Sequence, residues 1–170
     1  TICAMVPISI FIGAPSFLSL ALIITPAVAI VLPPLEAFTS MLFGSVISFY
    51  LSPGAMFLGP YTVLIPPVGV FFGSLTYHKS KLSIITVFYL LMCIIYFLWN
   101  VPFILWIIPH ATAAIVTLFI FLKRIHGKKL IPITTFVVTF CEQAIMMVLA
   151  SWFLCSVLGL SWTVIFPTAL

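Results

Sequence analysis

Long apolar stretches, interrupted by short polar or proline-rich segments, run along the whole chain. A helix that crosses a bilayer needs about 20 mostly apolar residues, and several of the stretches have this length. Because they are continuous rather than alternating, they favour helices over strands or a barrel. We therefore predict an all-α polytopic membrane protein, a bundle of about six transmembrane helices that forms one domain over residues 1–170.

Proline, glycine and charged residues divide the chain into the predicted spans. The first span lies within residues 2–31, as one helix or as two pieces broken at Pro15 and Pro26. The other predicted spans are residues 35–51, 58–78, 82–99, 104–122 and 132–158. Since the chain begins and ends within apolar sequence, we expect it to be part of a longer protein.

Composition indicates that lipid is the surrounding solvent. Hydrophobic residues make up 65% of the chain and charged residues 5%, whereas a soluble domain carries about 25% charged residues. The net charge of +4 comes from basic residues that flank apolar spans. They form no basic stripe, so we expect no nucleic-acid partner.

The six basic residues fall in two clusters, one at Lys79 and Lys81 and one from Lys123 to Lys129. Residues 82–122, between the clusters, suffice for one helical hairpin. Both clusters are therefore predicted to lie on the same side of the membrane. The positive-inside rule makes that side cytoplasmic.

Glu142 lies within the last predicted span, near mid-membrane. Five residues are predicted to share one polar face of that span, directed to the protein interior or to a cavity: Thr135, Thr139, Glu142, Gln143 and Met146. An ionisable group inside a membrane is costly, which favours a ligand- or ion-binding role. A hydrogen bond between helices, with Glu142 protonated, is the structural alternative.

Other polar residues suggest a mouth at the ends of the fourth to sixth spans. Asn100 and His110 flank the connection between the fourth and fifth spans, and Trp106 lies between them. Aromatic walls with a few polar groups suit a small organic ligand. An interfacial cap satisfied by water is the alternative. Glu36 has a simpler explanation, because an acidic residue after prolines is typical of a helix N-terminus.

Small residues recur four apart in two spans, which places them on one helix face. The second span carries Ser40, Gly44 and Ser48, and the third carries Gly69 and Gly73. Small side chains let helix backbones approach closely in membranes. We expect these faces to pack against each other or to dock another membrane subunit.

No set of acid, base and nucleophile stands out, and the chain lacks a glycine-rich phosphate loop and any aspartate. The four cysteines lie in apolar stretches without metal-ligand spacing. We expect them to pack as small hydrophobic residues. The predicted protein is therefore not an enzyme and has no metal site and no cofactor.

Four stretches resemble the substrate-binding S components of energy-coupling factor (ECF) vitamin transporters, in particular archaeal-type members. They are Pro-Pro-Leu-Glu-Ala-Phe-Thr-Ser and the residues that follow (33–48), Ser-Pro-Gly-Ala-Met-Phe-Leu-Gly-Pro (52–60), the glycine-spaced residues 66–79, and Thr-Phe-Cys-Glu-Gln-Ala (139–144). The resemblance extends over residues 33–160. It implies a six-helix membrane protein that captures a vitamin-like molecule.

The resemblance also implies a membrane-embedded coupling subunit and cytoplasmic ATPases as partners, in the plasma membrane of a prokaryote. The implied binding site lies among the fourth to sixth helices. Four residues match that region in position: Glu142, Gln143, Asn100 and His110. The chain departs from the family in lacking an Ala-x-x-x-Ala pattern within residues 1–25. The family's orientation would also place the two basic clusters outside.

A second interpretation is a structural or accessory transmembrane subunit of a larger complex, such as a respiratory or oxidase assembly. The scarcity of polar groups and the many apolar faces favour it. A binder should retain a small molecule through purification, whereas an accessory subunit should co-purify with large partners and carry no ligand.

Overall fold

The chain folds mainly into helices. A computed structural model describes residues 7–10, 17–19, 21–51, 59–79, 82–98, 107–123, 129–152 and 159. In chain order the elements are β1 (Pro7–Ile10), β2 (Phe17–Ser19), α1 (Ala21–Val31), α2 (Pro34–Leu51), a 3-10 helix (Gly59–Leu64), α3 (Ile65–Lys79), α4 (Leu82–Leu98), α5 (Ile107–Leu122) and α6 (Leu130–Trp152). Six α-helices thus account for most of the described residues, which confirms the predicted helical organisation.

The N-terminal part differs from the predicted first span. Among the described residues of that predicted span, residues 21–31 are helical. The short strands β1 and β2 pair in antiparallel fashion, with Ile10 opposite Phe17. Gly13 and Pro15 lie between the strands in sequence, and both disfavour a continuous helix. The prediction of a single helical span, or of two helical pieces, was therefore wrong for residues 7–10 and 17–19.

Prolines mark the starts of two helices. Pro34 is the first residue of α2, and Glu36 follows within the first turn. Proline needs no N–H partner at that position, and an acidic side chain interacts favourably with the positive helix end. Pro66 and Pro67 occupy the first turn of α3 in the same way. The 3-10 helix before α3 covers part of the span predicted for residues 58–78.

Helix α6 lies between two apolar clusters. The first cluster contains Ile85 and Tyr89 of α4, Ala113 and Ala114 of α5, and Val137 and Cys141 of α6. The second contains Ala29 of α1, Ala37 of α2, Val70 of α3 and Val138 of α6. Successive helix residues are rotated by about 100°. The neighbours Val137 and Val138 can therefore belong to different clusters.

Two glycines bring α3 against α6. Helix α3 packs more extensively on α6 than on any other helix, and α2 packs along α3. A Cβ atom added at Gly73 would overlap Cγ2 of Val138 and lie 3.1 Å from Cβ of Ala29. Helices α1, α3 and α6 therefore meet at Gly73, where no larger residue fits without movement.

Hydrogen bonds between helices satisfy several buried hydroxyl groups. Ser74 of α3 donates to the carbonyl of Leu32, just after α1, at 2.6 Å. The hydroxyls of Thr86 on α4 and Thr117 on α5 lie 3.0 Å apart. Such bonds fix neighbouring helices relative to each other because a buried polar group without a partner is costly.

Among the described residues, one helix is both long and apolar enough to cross a bilayer, Pro34–Leu51. Shorter apolar stretches lie in three other helices, at Ser83–Ile95, Ile108–Leu122 and Leu130–Met146. A single such helix is weak support for a membrane protein, because core helices and signal sequences pass the same test.

We expect the Gly73→Ala substitution to destabilise the protein by about 1–2 kcal/mol, because overpacking outweighs the gain in helix propensity. Gly44→Ala is the matched control. A Cβ there would meet nothing within 4 Å, so this change should be neutral or stabilising by up to about 1 kcal/mol. Thermal unfolding of both purified variants, followed by circular dichroism, measures the difference. Equal effects of the two substitutions would contradict the close contact at Gly73.

Candidate functional site

The carboxyl group of Glu142 is buried at the junction of α1, α3 and α6. The residue is 8% exposed. A Cβ atom added at Gly69 of α3 would overlap Cγ of Glu142 and lie 3.0 Å from its Oε1. The hydroxyl of Thr25 on α1 is close enough to interact with the carboxyl group. Three helices therefore converge on this side chain.

The polar atoms at this junction lack hydrogen bonds of ordinary geometry. Oε1 of Glu142 and Oγ1 of Thr25 have no hydrogen-bond partner among the described residues, and two turns earlier on α6 neither does Oγ1 of Thr134. Most buried polar atoms in proteins are paired, and an unpaired one costs about 1–3 kcal/mol. Two neighbouring buried oxygen atoms without a partner favour a binding role over a purely structural one.

The spacing of residues on α6 explains why Glu142 faces inward. Thr134, Val138 and Glu142 are four apart and lie on the face toward α1 and α3. All three are buried. Thr135 and Gln143, in contrast, are exposed. Of the five residues predicted to share an inward face, Glu142 is buried, Thr139 and Met146 are half-buried, and Thr135 and Gln143 lie outward.

The pocket predicted among the fourth to sixth helices is also revised. His110 is buried on α5, on the same face as Ala113 and Ala114, which join the α4 cluster. Glu142 faces α1 and α3 instead, so the two residues belong to different helix interfaces. Asn100 and Trp106 lie outside the described residues.

The predicted small-residue faces behave differently from each other. Gly69 and Gly73 of α3 contact α6, and Gly73 also approaches α1. On α2, Ser48 is buried but Ser40 is exposed, and an added Cβ at Gly44 would have open space around it. The stripe on α2 is therefore used inside the bundle only in part.

Tyr89 is a buried polar residue that the sequence did not single out. Its hydroxyl donates to the carbonyl of Val137 at 3.3 Å and accepts from the Cys141 thiol at 3.5 Å. Cys141 itself is fully buried, so it packs as a core residue. Thr25 was missed as well, although the adjacent Pro26 signals an interrupted helical hydrogen bond in α1.

Positive charges lie away from Glu142 in the part of the chain that the structure describes. Lys123 and Lys129 are exposed at helix ends, and the ammonium group of Lys123 lies 5.2 Å from the centre of the Phe119 ring. Lys129 is separated from Glu142 by roughly 20 Å along α6. The described residues also contain no group of three or more His, Cys, Asp or Glu that could hold a metal ion.

Comparisons with known proteins add no assignment: no protein-family model, curated protein or solved structure matches this chain.

We expect the Glu142→Met substitution to leave stability unchanged or raise it by about 1 kcal/mol, because it removes a buried oxygen without a partner. Methionine adapts to the space of the glutamate side chain. Glu36→Met, at the exposed start of α2, is the control and should have little effect on stability. Thermal unfolding of the purified variants measures both. A loss of about 2 kcal/mol in Glu142→Met would show instead that Glu142 supports the fold.

Proposed function

We propose that this chain is a membrane-embedded substrate-binding subunit of an ECF-type uptake transporter for a small, vitamin-like solute, and that Glu142 anchors the solute. The observation that carries the proposal is the buried carboxyl group at the junction of α1, α3 and α6, whose Oε1 has no partner among the described residues. Ionisable groups inside membrane bundles are expensive, and they mark substrate or ion sites.

The outer surface of the bundle supports a location in the membrane. On α4, exposed apolar residues recur three or four apart and form one continuous face: Ile84, Val87, Leu91, Ile94 and Leu98. Soluble monomers rarely expose such large apolar faces. Lipid is the solvent that makes this face favourable, since acyl chains are as apolar as the side chains.

Helix α2 supports the same location. It has the length of a membrane span, and 22% of its residues in that span are buried. A core helix of a soluble protein would be mostly buried. The exposed residues of α2 include Leu35, Phe43 and Tyr50, which suit contact with lipid or with another membrane protein.

The small residues of α2 that face outward support the proposal that this chain binds a membrane-embedded partner subunit. Ser40 is exposed, and Gly44 has room for a Cβ atom. Small residues on an outward helix face let a partner helix approach closely. A coupling subunit docked along α2 would fill this space.

One observation favours the accessory-subunit interpretation as a second candidate. Gln143 is exposed on α6, on a helix whose other outward residues are mostly apolar. Lipid cannot satisfy an amide group, whereas a neighbouring transmembrane helix can. A complex in which α6 contacts another subunit would explain this residue without any solute.

Native mass spectrometry of the full chain, purified in detergent from its own organism, tests the proposal. We expect a small molecule to remain bound to the wild type, because the buried carboxyl group holds it by a charge-assisted hydrogen bond. Glu142→Gln should reduce its occupancy at least about tenfold, which corresponds to about 1.4 kcal/mol. A membrane coupling subunit and ATPases should co-purify.

Glu36→Gln serves as the control, since Glu36 is the other carboxylate of the chain and is exposed. It should retain the ligand at the wild-type level. A wild-type protein that carries no small molecule and co-purifies with large membrane subunits, but not with ATPases, would favour the accessory role instead.

A further inference from the structure

We propose that Glu142, Thr25 and the backbone carbonyl of Leu22 form a binding site for one positive charge. The occupant is a small monovalent cation, either an alkali-metal ion such as Na⁺ or an ammonium group carried by the solute. The inference deepens the proposed function, and its ammonium form rests on that function. The site lies where α1 and α6 face each other across Gly69 of α3.

The side-chain atoms that define the site are oxygen acceptors in need of a partner. Glu142 is 8% exposed and Thr25 is 3% exposed. Oε1 of the carboxyl group and Oγ1 of the hydroxyl are both without a hydrogen bond among the described residues. Oxygen atoms of carboxyl, hydroxyl and carbonyl groups are the ligands that hard cations prefer.

The third oxygen is a backbone carbonyl that Pro26 leaves without a helical donor. Pro26 lies inside α1 and has no N–H group, so the carbonyl of Leu22, one turn earlier, lacks its usual helical donor. Thr25 precedes Pro26 directly, which places the hydroxyl on the same interrupted turn. Carbonyl groups released in broken membrane helices are recurrent ligands of Na⁺.

Charge balance favours a monovalent occupant. Glu142 and Glu36 are the acidic residues of the chain, and Glu36 is exposed at the start of α2. Lys123 and Lys129 are exposed at helix ends. One carboxylate neutralises one positive charge, whereas Ca²⁺ and Mg²⁺ sites recruit more carboxylates or retain several waters.

The close contact at Gly69 limits the size of the occupant. A Cβ atom added there would already overlap the Glu142 side chain and lie 3.0 Å from both Oε1 of Glu142 and the carbonyl oxygen of Val138. A bulky ring does not fit between α3 and this carboxyl group.

The experiment measures the thermal stability of the purified full chain in lipid nanodiscs. Sodium chloride or methylammonium chloride replaces N-methyl-D-glucamine chloride at constant ionic strength and pH. We expect at least one of the two small cations to raise the wild-type Tm in a saturable manner, since a ligand that binds the folded state stabilises it. Glu142→Gln should abolish the rise. Thr25→Val should increase the half-maximal concentration about tenfold.

Glu36→Gln is the matched control and should respond like the wild type. A wild-type Tm that neither cation raises would overturn the proposal, and so would a full response in Glu142→Gln. A response to Na⁺ alone identifies an ion site, and a response to methylammonium alone identifies a solute head group. If the cation response is present but no solute is retained, the proposed function fails while this site stands. If a solute is retained but neither cation raises the Tm, the cation site is refuted while the proposed function stands.

Discussion

Close contact between α3 and α6 at two glycines determines how the rest of the bundle is arranged. Gly73 admits Val138 and draws in Ala29 of α1, and Gly69 admits the side chain of Glu142. Such close van der Waals contact stabilises helix packing, because many small dispersion contributions add up. The same two positions therefore fix both the packing of three helices and the place of the buried carboxyl group.

Burial of that carboxyl group runs against the stability of an apolar bundle. A group of this kind persists where a bound ligand or a function compensates its cost. Its described neighbour is the hydroxyl of Thr25, which also lacks a partner, and the described lysines Lys123 and Lys129 are exposed at helix ends. Elsewhere the bundle satisfies its buried hydroxyls across helices, as at Thr86 and Thr117. The paired hydroxyls at Thr86 and Thr117 support helix packing, whereas the unpaired oxygens at Glu142 and Thr25 do not.

Sequence patterns anticipated the six helices because proline, glycine and charged residues end helices by local chemistry. They also identified Gly69, Gly73 and Glu142 as residues of interest. They did not predict the strand pair at Pro7–Ile10 and Phe17–Ser19, because a continuous apolar run suits either a helix or a strand. Nor could they show which face of α6 is buried, since a helix that is apolar on most sides lacks the contrast between a polar outside and an apolar inside.

Two neighbouring valines of α6 link the movements of the helices on its two sides. Val137 belongs to the cluster with α4 and α5, and Val138 belongs to the cluster with α1, α2 and α3. A rotation of α6 about its axis must therefore repack both sides together. Cys141, next to Glu142 on a neighbouring face of α6, contacts Tyr89 of α4, so a displacement of Glu142 would also shift this contact. Helix α6 would thereby couple the binding of a ligand at Glu142 to the position of α4.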